Sequence, residues 1–257
     1  QKMEFFALNE GTFVIDHSKK FKYFDSQSQS KKDFKGAMFL DVQPFLVKLQ
    51  NHIILLDTGL GFKNENGELI LFENLKKHGI QPTDITHVLL SHLHRDHVGG
   101  LVRFEDKKFI LNFPNAKYYI SKPEWDCVND PERPYHYKGF DFLLESGAIT
   151  FFEGNGNITP EISYEFTGGH TEYHTAFHVI DPNTNEHLFF GGDILTLKGQ
   201  IGSTLLNKSD KFPKEANKIR QQFVDRAVTQ GWTCLFYHGL NTKFGKIIIE
   251  NSKYKVI

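Results

Sequence analysis

The chain has 257 residues, 39% of them hydrophobic and 24% charged, which suits one α/β domain over residues 1–257 with a sizeable core. A formal net charge of −1 provides no overall basic field to recruit nucleic acid or an acidic membrane surface, so neither is expected as a partner. The two cysteines, Cys127 and Cys234, form no CxxC pair, which excludes thioredoxin chemistry and zinc ribbons and reads as two reduced thiols.

In chain order, Phe5-Phe6-Ala7-Leu8 is too short for a signal h-region, and no run approaches the roughly 20 apolar residues of a membrane span. The expectation is a cytoplasmic chain, although a start at Gln1 leaves a removed leader open. Residues 12–15 read as a strand, residues 17–37 as a polar loop rich in Lys, Ser and Gln, and residues 45–56 as strand closing on Asp57-Thr58-Gly59. Phe72, Leu75, Lys76 and Ile80 recur at helical spacing, with Gly79 as a stop. Strands are then predicted at Ile85–Ser91, Lys117–Ser121, Phe151–Phe152, Ser163–Thr167, Ala176–Ile180, His187–Phe190 and Cys234–Tyr237. Helices are predicted at Pro123–Val128 and Lys214–Gln230, the latter with Ala216, Ile219, Phe223 and Ala227 on one face.

The stretch HVLLSHLHRDHVGG (residues 87–100) puts a greasy run ahead of His92, His94, Asp96 and His97, then two glycines. Imidazole and carboxylate are zinc donors, and two histidines two apart in an extended segment can converge on one ion. Asp96 and His97, one turn on, can serve a second. Three other segments repeat the grammar of a strand ending in a donor beside glycine: SYEFT into Gly168-Gly169-His170, HLFF into Gly191-Gly192-Asp193, and CLFY into His238-Gly239. Donors set at the ends of neighbouring strands are a general way to build a site on a sheet.

This set resembles the metallo-β-lactamase superfamily from about residue 45 to residue 240, with Asp57-Thr58-Gly59 similar to its early Asp-Thr-Gly element. The resemblance implies a four-layer αββα sandwich of two mixed β-sheets with helices outside. It implies that His92, His94 and His170 hold one divalent metal, that Asp96, His97 and His238 hold a second, and that Asp193 bridges them. Zinc is the expected metal, with manganese, iron or cobalt accepted by the same donors. The spacings most resemble N-acyl homoserine lactonases. Those carry a tyrosine three residues after the bridging aspartate, where this chain has Thr196.

The activity so implied is hydrolysis, in which a metal-bridging hydroxide attacks an ester-type carbonyl of a lactone or carboxylic ester. Asp96 is expected to pass the proton to the leaving group, and Asp57 to orient a ligand histidine. A glyoxalase II-like thioesterase and a phosphodiesterase or nuclease of the same fold are the alternatives. A purely structural zinc fits poorly, because such sites saturate with four ligands that commonly include cysteine. His17, His52, His78, His87, His136 and His187 lie outside the strand-end grammar, and His174 and His178 read as structural. The substrate rim is expected from residues 17–39, 129–142 and 196–213, with Met38, Phe39 and Thr196 at the front and Phe34, Tyr135, Phe140 and Leu205 as further apolar candidates.

Overall fold

The computed structural model describes residues 2–16, 20–130 and 137–257. His17, Tyr135 and His136 lie outside the described residues. Among the described ones, six strands form a first mixed sheet, in sequential order: β1 (Glu4–Ala7), β2 (Phe45–Lys48), β3 (Ile53–Leu56), β4 (His87–Leu89), β5 (Lys117–Ser121) and β6 (Ile149–Phe152). β1 to β3 pair antiparallel, and β3 to β6 pair parallel. A second mixed sheet follows in the same sequential manner: β7 (Gly156–Asn157), β8 (Ile162–Phe166), β9 (Thr175–Ile180), β10 (His187–Phe190), β11 (Thr233–Leu235), β12 (Phe244–Glu250) and β13 (Lys253–Val256). Its one parallel pair is β10 with β11. Among the described residues five α-helices accompany the sheets: α1 (Ile70–Lys77), α2 (Arg95–Val98), α3 (Lys122–Asp126), α4 (Phe140–Glu145) and α5 (Pro213–Gln230).

The strand pleat turns successive side chains to opposite faces, and here both faces are buried. Phe45 and Val47 of β2, Ile54 and Leu56 of β3 and Leu89 of β4 point inward, against Phe177, Val179, Leu188, Phe190 and Leu235 of the second sheet. The alternate residues Leu46, Leu55 and Val88 point outward, under Leu71 and Leu75 of α1 and Phe140 and Leu143 of α4. On the far side, Ala176, Phe189 and Cys234 meet Ala216, Phe223, Val224 and Ala227 of α5. The layers are therefore helix, sheet, sheet, helix. Pro213 sits in the first turn of α5, and Gly231 ends it at φ +68°, in the left-handed region.

Several expectations change. Residues 45–56 are a hairpin of two antiparallel strands, because the polar Gln50-Asn51 pair interrupts the apolar run. The segment 17–39, read as loop and rim, contains the strand Phe21–Tyr23 and leads into Met38–Asp41; both pair with Thr12–Ile15 in a small third sheet. Phe140, a rim candidate, is buried in the core against Trp125 and Tyr137. Strands β1, β12 and β13 and the hairpin Val102–Glu105/Lys108–Leu111 carried no prediction. Most are short, and none shows sustained apolar–polar alternation in its sequence. Both cysteines are free thiols, and no helix among the described residues is long and apolar enough to cross a membrane.

One side chain ties the two sheets together beside the strand ends. The amide of buried Gln43 donates to Phe236 O at 2.7 Å and Gly239 O at 3.0 Å, while its backbone N–H donates to Tyr237 O at 3.2 Å. Gln43→Ala leaves buried carbonyls short of a donor, a loss of roughly 2 kcal/mol. The expected readout is a lowered urea midpoint with an unchanged m-value, and a midpoint equal to wild type would contradict this role.

Candidate metal centre

The carboxyl ends of β3, β4, β10 and β11 point to one edge of the sandwich, and the chain turns sharply after each. After β4, residues 91–94 stay extended until α2 starts at Arg95, so His92 and His94 precede the helix and Asp96 and His97 ride on its first turn. Asp193 follows β10, His238 follows β11, and His170 lies in the turn between β8 and β9.

The seven side chains converge in two groups. In the first, His92 Nε2 lies 2.9 Å from His94 Nδ1, which lies 3.1 Å from His170 Nε2; that nitrogen is 3.2 Å from Asp193 Oδ2. In the second, His97 Nε2 and His238 Nε2 lie 3.4 and 3.3 Å from Asp96 Oδ2, and 3.3 and 3.2 Å from Asp193 Oδ1. Asp193 thus gives one carboxylate oxygen to each group. Both groups have the spacing and donor types to hold a metal ion.

The hydrogen bonds at the outer ring nitrogens show which atoms face inward. His97 Nδ1 donates to Asp57 Oδ2 at 2.6 Å, His170 Nδ1 to Asp210 Oδ1 at 2.9 Å, and His238 Nδ1 to the carbonyl of Asp41 at 2.7 Å. With its proton outward, each ring turns an Nε2 lone pair into the cluster. His97 Nε2 and Asp193 Oδ1 are buried and lack any hydrogen-bond partner. A pair of orphaned acceptors in the interior is costly unless a cation satisfies them, so the residues present fit two divalent ions.

The charge balance points the same way. Burial, with His97, His94 and His170 beside it, holds His92 well below the usual imidazole range; burial brings His94 down to about 4. Burial also opposes charge on His97 and His238, but the carboxylates of Asp193 and Asp96 outweigh it, raising His97 and carrying His238 to about 10. Those histidines in turn hold Asp193 and Asp96 far below the carboxylate range against the burial that would raise them. The second group therefore attracts positive charge strongly.

Asp57, at φ +55°, accepts from Ser91 N at 2.8 Å and Ser91 Oγ at 2.6 Å as well as from His97. His174 does not face the metal donors: its Nε2 accepts from Asp193 N at 3.1 Å and its Nδ1 meets Thr167 Oγ1 at 2.7 Å. Thr196 is buried, and its hydroxyl and carbonyl both accept from His238 N at 3.2 Å. Met38 is half-exposed on its strand, Phe39 packs edge-on against Phe24 and Phe34, and Leu205 is exposed. His52, His78, His87 and His187 make ring contacts away from the cluster.

Sequence reasoning missed three supports. Asp210 orients His170 and pairs at 2.9 Å with buried Arg220, whose Nε donates to Ile194 O. Arg220 on the apolar face of α5 was the available signal, since a buried guanidinium requires an acid. Tyr237 stacks on His97 at 4.1 Å and donates to Asp96 O at 2.6 Å. Glu10 accepts from Leu60 N at 2.6 Å and Phe62 N at 3.2 Å, fixing the loop after Asp57.

Two outcomes are expected. Asp57→Asn lowers zinc affinity about 10- to 100-fold, the usual effect of losing a carboxylate behind a ligand histidine; a chelator competition titration measures it, and wild-type affinity would refute it. Burial pushes Glu10 up to about 8, above the ordinary 4.5. Its contribution to stability is therefore full below pH 4.5 and is lost as pH rises through about 8. Urea midpoints of the wild type fall across that window relative to Glu10→Gln, and parallel curves would count against it.

The family profile described as the metallo-beta-lactamase superfamily matches residues 38–215. Among characterised relatives, the N-acyl homoserine lactonase AttM of Agrobacterium fabrum (strain C58 / ATCC 33970) is 29% identical over 124 residues, 44% of this chain and 42% of its own length. The chain thus spans under half of that relative. Two solved structures share the fold: a probable metal-dependent hydrolase from Staphylococcus aureus, with TM-score 0.78, 20% identity and coverage of 99% of this chain and 97% of that one, and the dizinc quorum-quenching lactonase AidC, with TM-score 0.72, 22% identity and coverage of 100% and 96%. With the profile covering more than half of its length and the sandwich in place, this chain belongs to the metallo-β-lactamase superfamily.

Proposed function

We propose that the chain is a dinuclear metal-dependent hydrolase of small lactones or carboxylic esters, with zinc at both sites. The observation that carries this reading is the division of one carboxylate: Asp193 turns Oδ2 to the His92, His94 and His170 group and Oδ1 to the Asp96, His97 and His238 group. Two divalent cations held there supply, when bound, Lewis acidity toward a carbonyl oxygen and hydroxide from water near neutral pH. The similarity to AttM and to the dizinc lactonase AidC supports zinc and a lactone.

The remaining work falls to this chain's own groups. Burial keeps His92 and His94 unprotonated, and the Nδ1 contact of His170 with Asp210 turns its Nε2 toward the same group. Asp96 is fixed through its carbonyl by the Tyr237 hydroxyl, with Oδ2 turned to the second group. Its carboxylate is placed to take the proton of the attacking water and pass it to the departing alkoxide. Thr196 stands where the lactonases carry their tyrosine, and its hydroxyl accepts from the His238 backbone. Position 196 therefore offers the scissile carbonyl no phenol, and substrates with good leaving groups should be favoured over unactivated lactones.

The test pairs elemental analysis with a panel of acyl lactones, aryl esters, thioesters and bis-aryl phosphates. About two zinc ions per chain and turnover of esters or lactones are expected, lost on chelation and restored by zinc. His94→Ala should lower kcat/KM by at least ~1000-fold, a loss of about 4 kcal/mol of transition-state stabilisation, and also lower bound metal. Turnover confined to phosphodiesters, or unchanged in His94→Ala, would reject the proposal.

A further inference from the structure

Helix α2 delivers Asp96 and His97 inward, but Arg95 just before them is exposed and opens onto a different cavity. This cleft of about 380 Å³ lies between the loop after β3, the hairpin Val102–Glu105/Lys108–Leu111 and residues 137–139. Its volume falls within the ~300–1,000 Å³ of small-molecule sites. None of the metal-centre side chains lines it.

Its chemistry is one-sided. Lys63, Arg95, Arg103 and Lys138 line the cleft, and among the described residues no Asp or Glu does. Arg103 is partly engaged, with Nε on Glu105 at 2.9 Å and Nη1 on Asn112 at 3.2 Å. No salt bridge joins Lys63 or Lys138 to a described acid. Glu10 lies within the field of Arg95, but burial pushes its carboxyl up to about 8, so it is largely protonated at neutral pH and offsets little of that charge. Like charges gathered around a low-dielectric concavity focus a positive potential into it, even on a chain of net charge −1.

The walls between these charges are aromatic. Tyr137 is fixed by hydrogen bonds from its hydroxyl region to Val102, accepting from N at 3.0 Å and donating to O at 3.4 Å. The guanidinium carbon of Arg95 sits 5.3 Å from the centre of its ring. Phe104 is 60% exposed, with one edge against Phe109 at 5.0 Å, so a face remains open to a flat ligand. Convergent cations exceed what a single carboxylate needs, and the arginine forks suit a phosphate. A flat ring that stacks on an aromatic face supplies the rest.

We propose that this cleft is a second binding site, for a planar ring bearing a phosphate group, as in a mononucleotide. The phosphate lies among the cations and the ring lies against Phe104 and Tyr137. A monophosphate carries close to two negative charges at neutral pH. The site is distinct from the metal centre and does not depend on the hydrolase reading.

Calorimetric titration of the zinc-loaded protein with AMP, adenosine and inorganic phosphate tests it. Saturable AMP binding is expected, at least tenfold tighter than either half alone. Arg103→Glu/Lys138→Glu, with circular dichroism matching the wild type, should weaken AMP at least tenfold. Should that double variant fail to fold, the single Lys63→Glu is read by the same criterion at threefold. Absence of saturable AMP binding would overturn the proposal. So would equal AMP affinity in wild type and variant, which would assign the binding to the metal centre.

Discussion

The position of the Asp193 carboxylate between two groups of buried donors is the constraint on which the rest of this molecule depends. A buried carboxylate between two sets of imidazoles has to be placed within tenths of an ångström, and nothing in its own segment is long enough to do so. Its backbone N–H is caught by His174, and the residue before it is Gly192 at φ +49°. A Cβ there would lie 2.7 Å from His174 Nε2 and from the Ser91 side chain, so only glycine lets the chain pass between them. The doubled glycine after β10 is thus a packing requirement of the centre. The same His174 that supports the aspartate is anchored by Thr167, next to the turn carrying His170, so the two donor-bearing turns share one brace.

Around that centre, orientation comes from groups distant in sequence and of different kinds. Asp57 acts on His97 from the end of β3, Asp41 O on His238 from the small third sheet, and Asp210 on His170 from the loop before α5. Arg220 neutralises Asp210 and also binds Ile194 O, so the segment after Asp193 and the support of His170 are held by one guanidinium. A buried pair of this sort contributes little net stability because both ions lose their hydration. Its worth lies in fixing relative positions, which preorganised metal ligands demand.

Much of this could be read from the sequence, for definite reasons. The strands that carry donors are apolar on both faces, so they appear as unbroken runs, as in HLFF before Gly191-Gly192-Asp193 and CLFY before His238. Donor identity is local, and the resemblance to a known family assembled the distant pieces. What stayed hidden was set by contacts with no local trace. Asp210 sits among Asn, Lys and Ser in a stretch indistinguishable from an ordinary surface loop, and its partner is ten residues away on a helix. Met38–Asp41 reads as the end of a polar loop, yet pairing with Thr12–Ile15 makes it a strand whose last carbonyl orients His238. Phe140 failed as a rim residue because α4 turns it onto the outer face of the first sheet, a choice of face that its own short segment cannot reveal.

The net charge of −1 conceals a strong separation of charge across a single turn of helix. Inward from α2, two aspartates and five imidazoles form a pocket that favours cations; outward, Arg95 joins three other cationic side chains over aromatic rings. The two fields do not cancel, because the buried backbone of residues 58–61 and 97–100 lies between them: Thr58 N donates to His97 O at 2.8 Å and Gly99 N to Gly59 O at 2.7 Å. That interleaved pair of loops is the rigid partition that keeps a metal-loving pocket and an anion-loving cleft a few residues apart. It also explains why Glu10, which caps Leu60 and Phe62 from the other side, is buried at a cost to its ionisation: the partition needs its backbone donors satisfied where no water reaches.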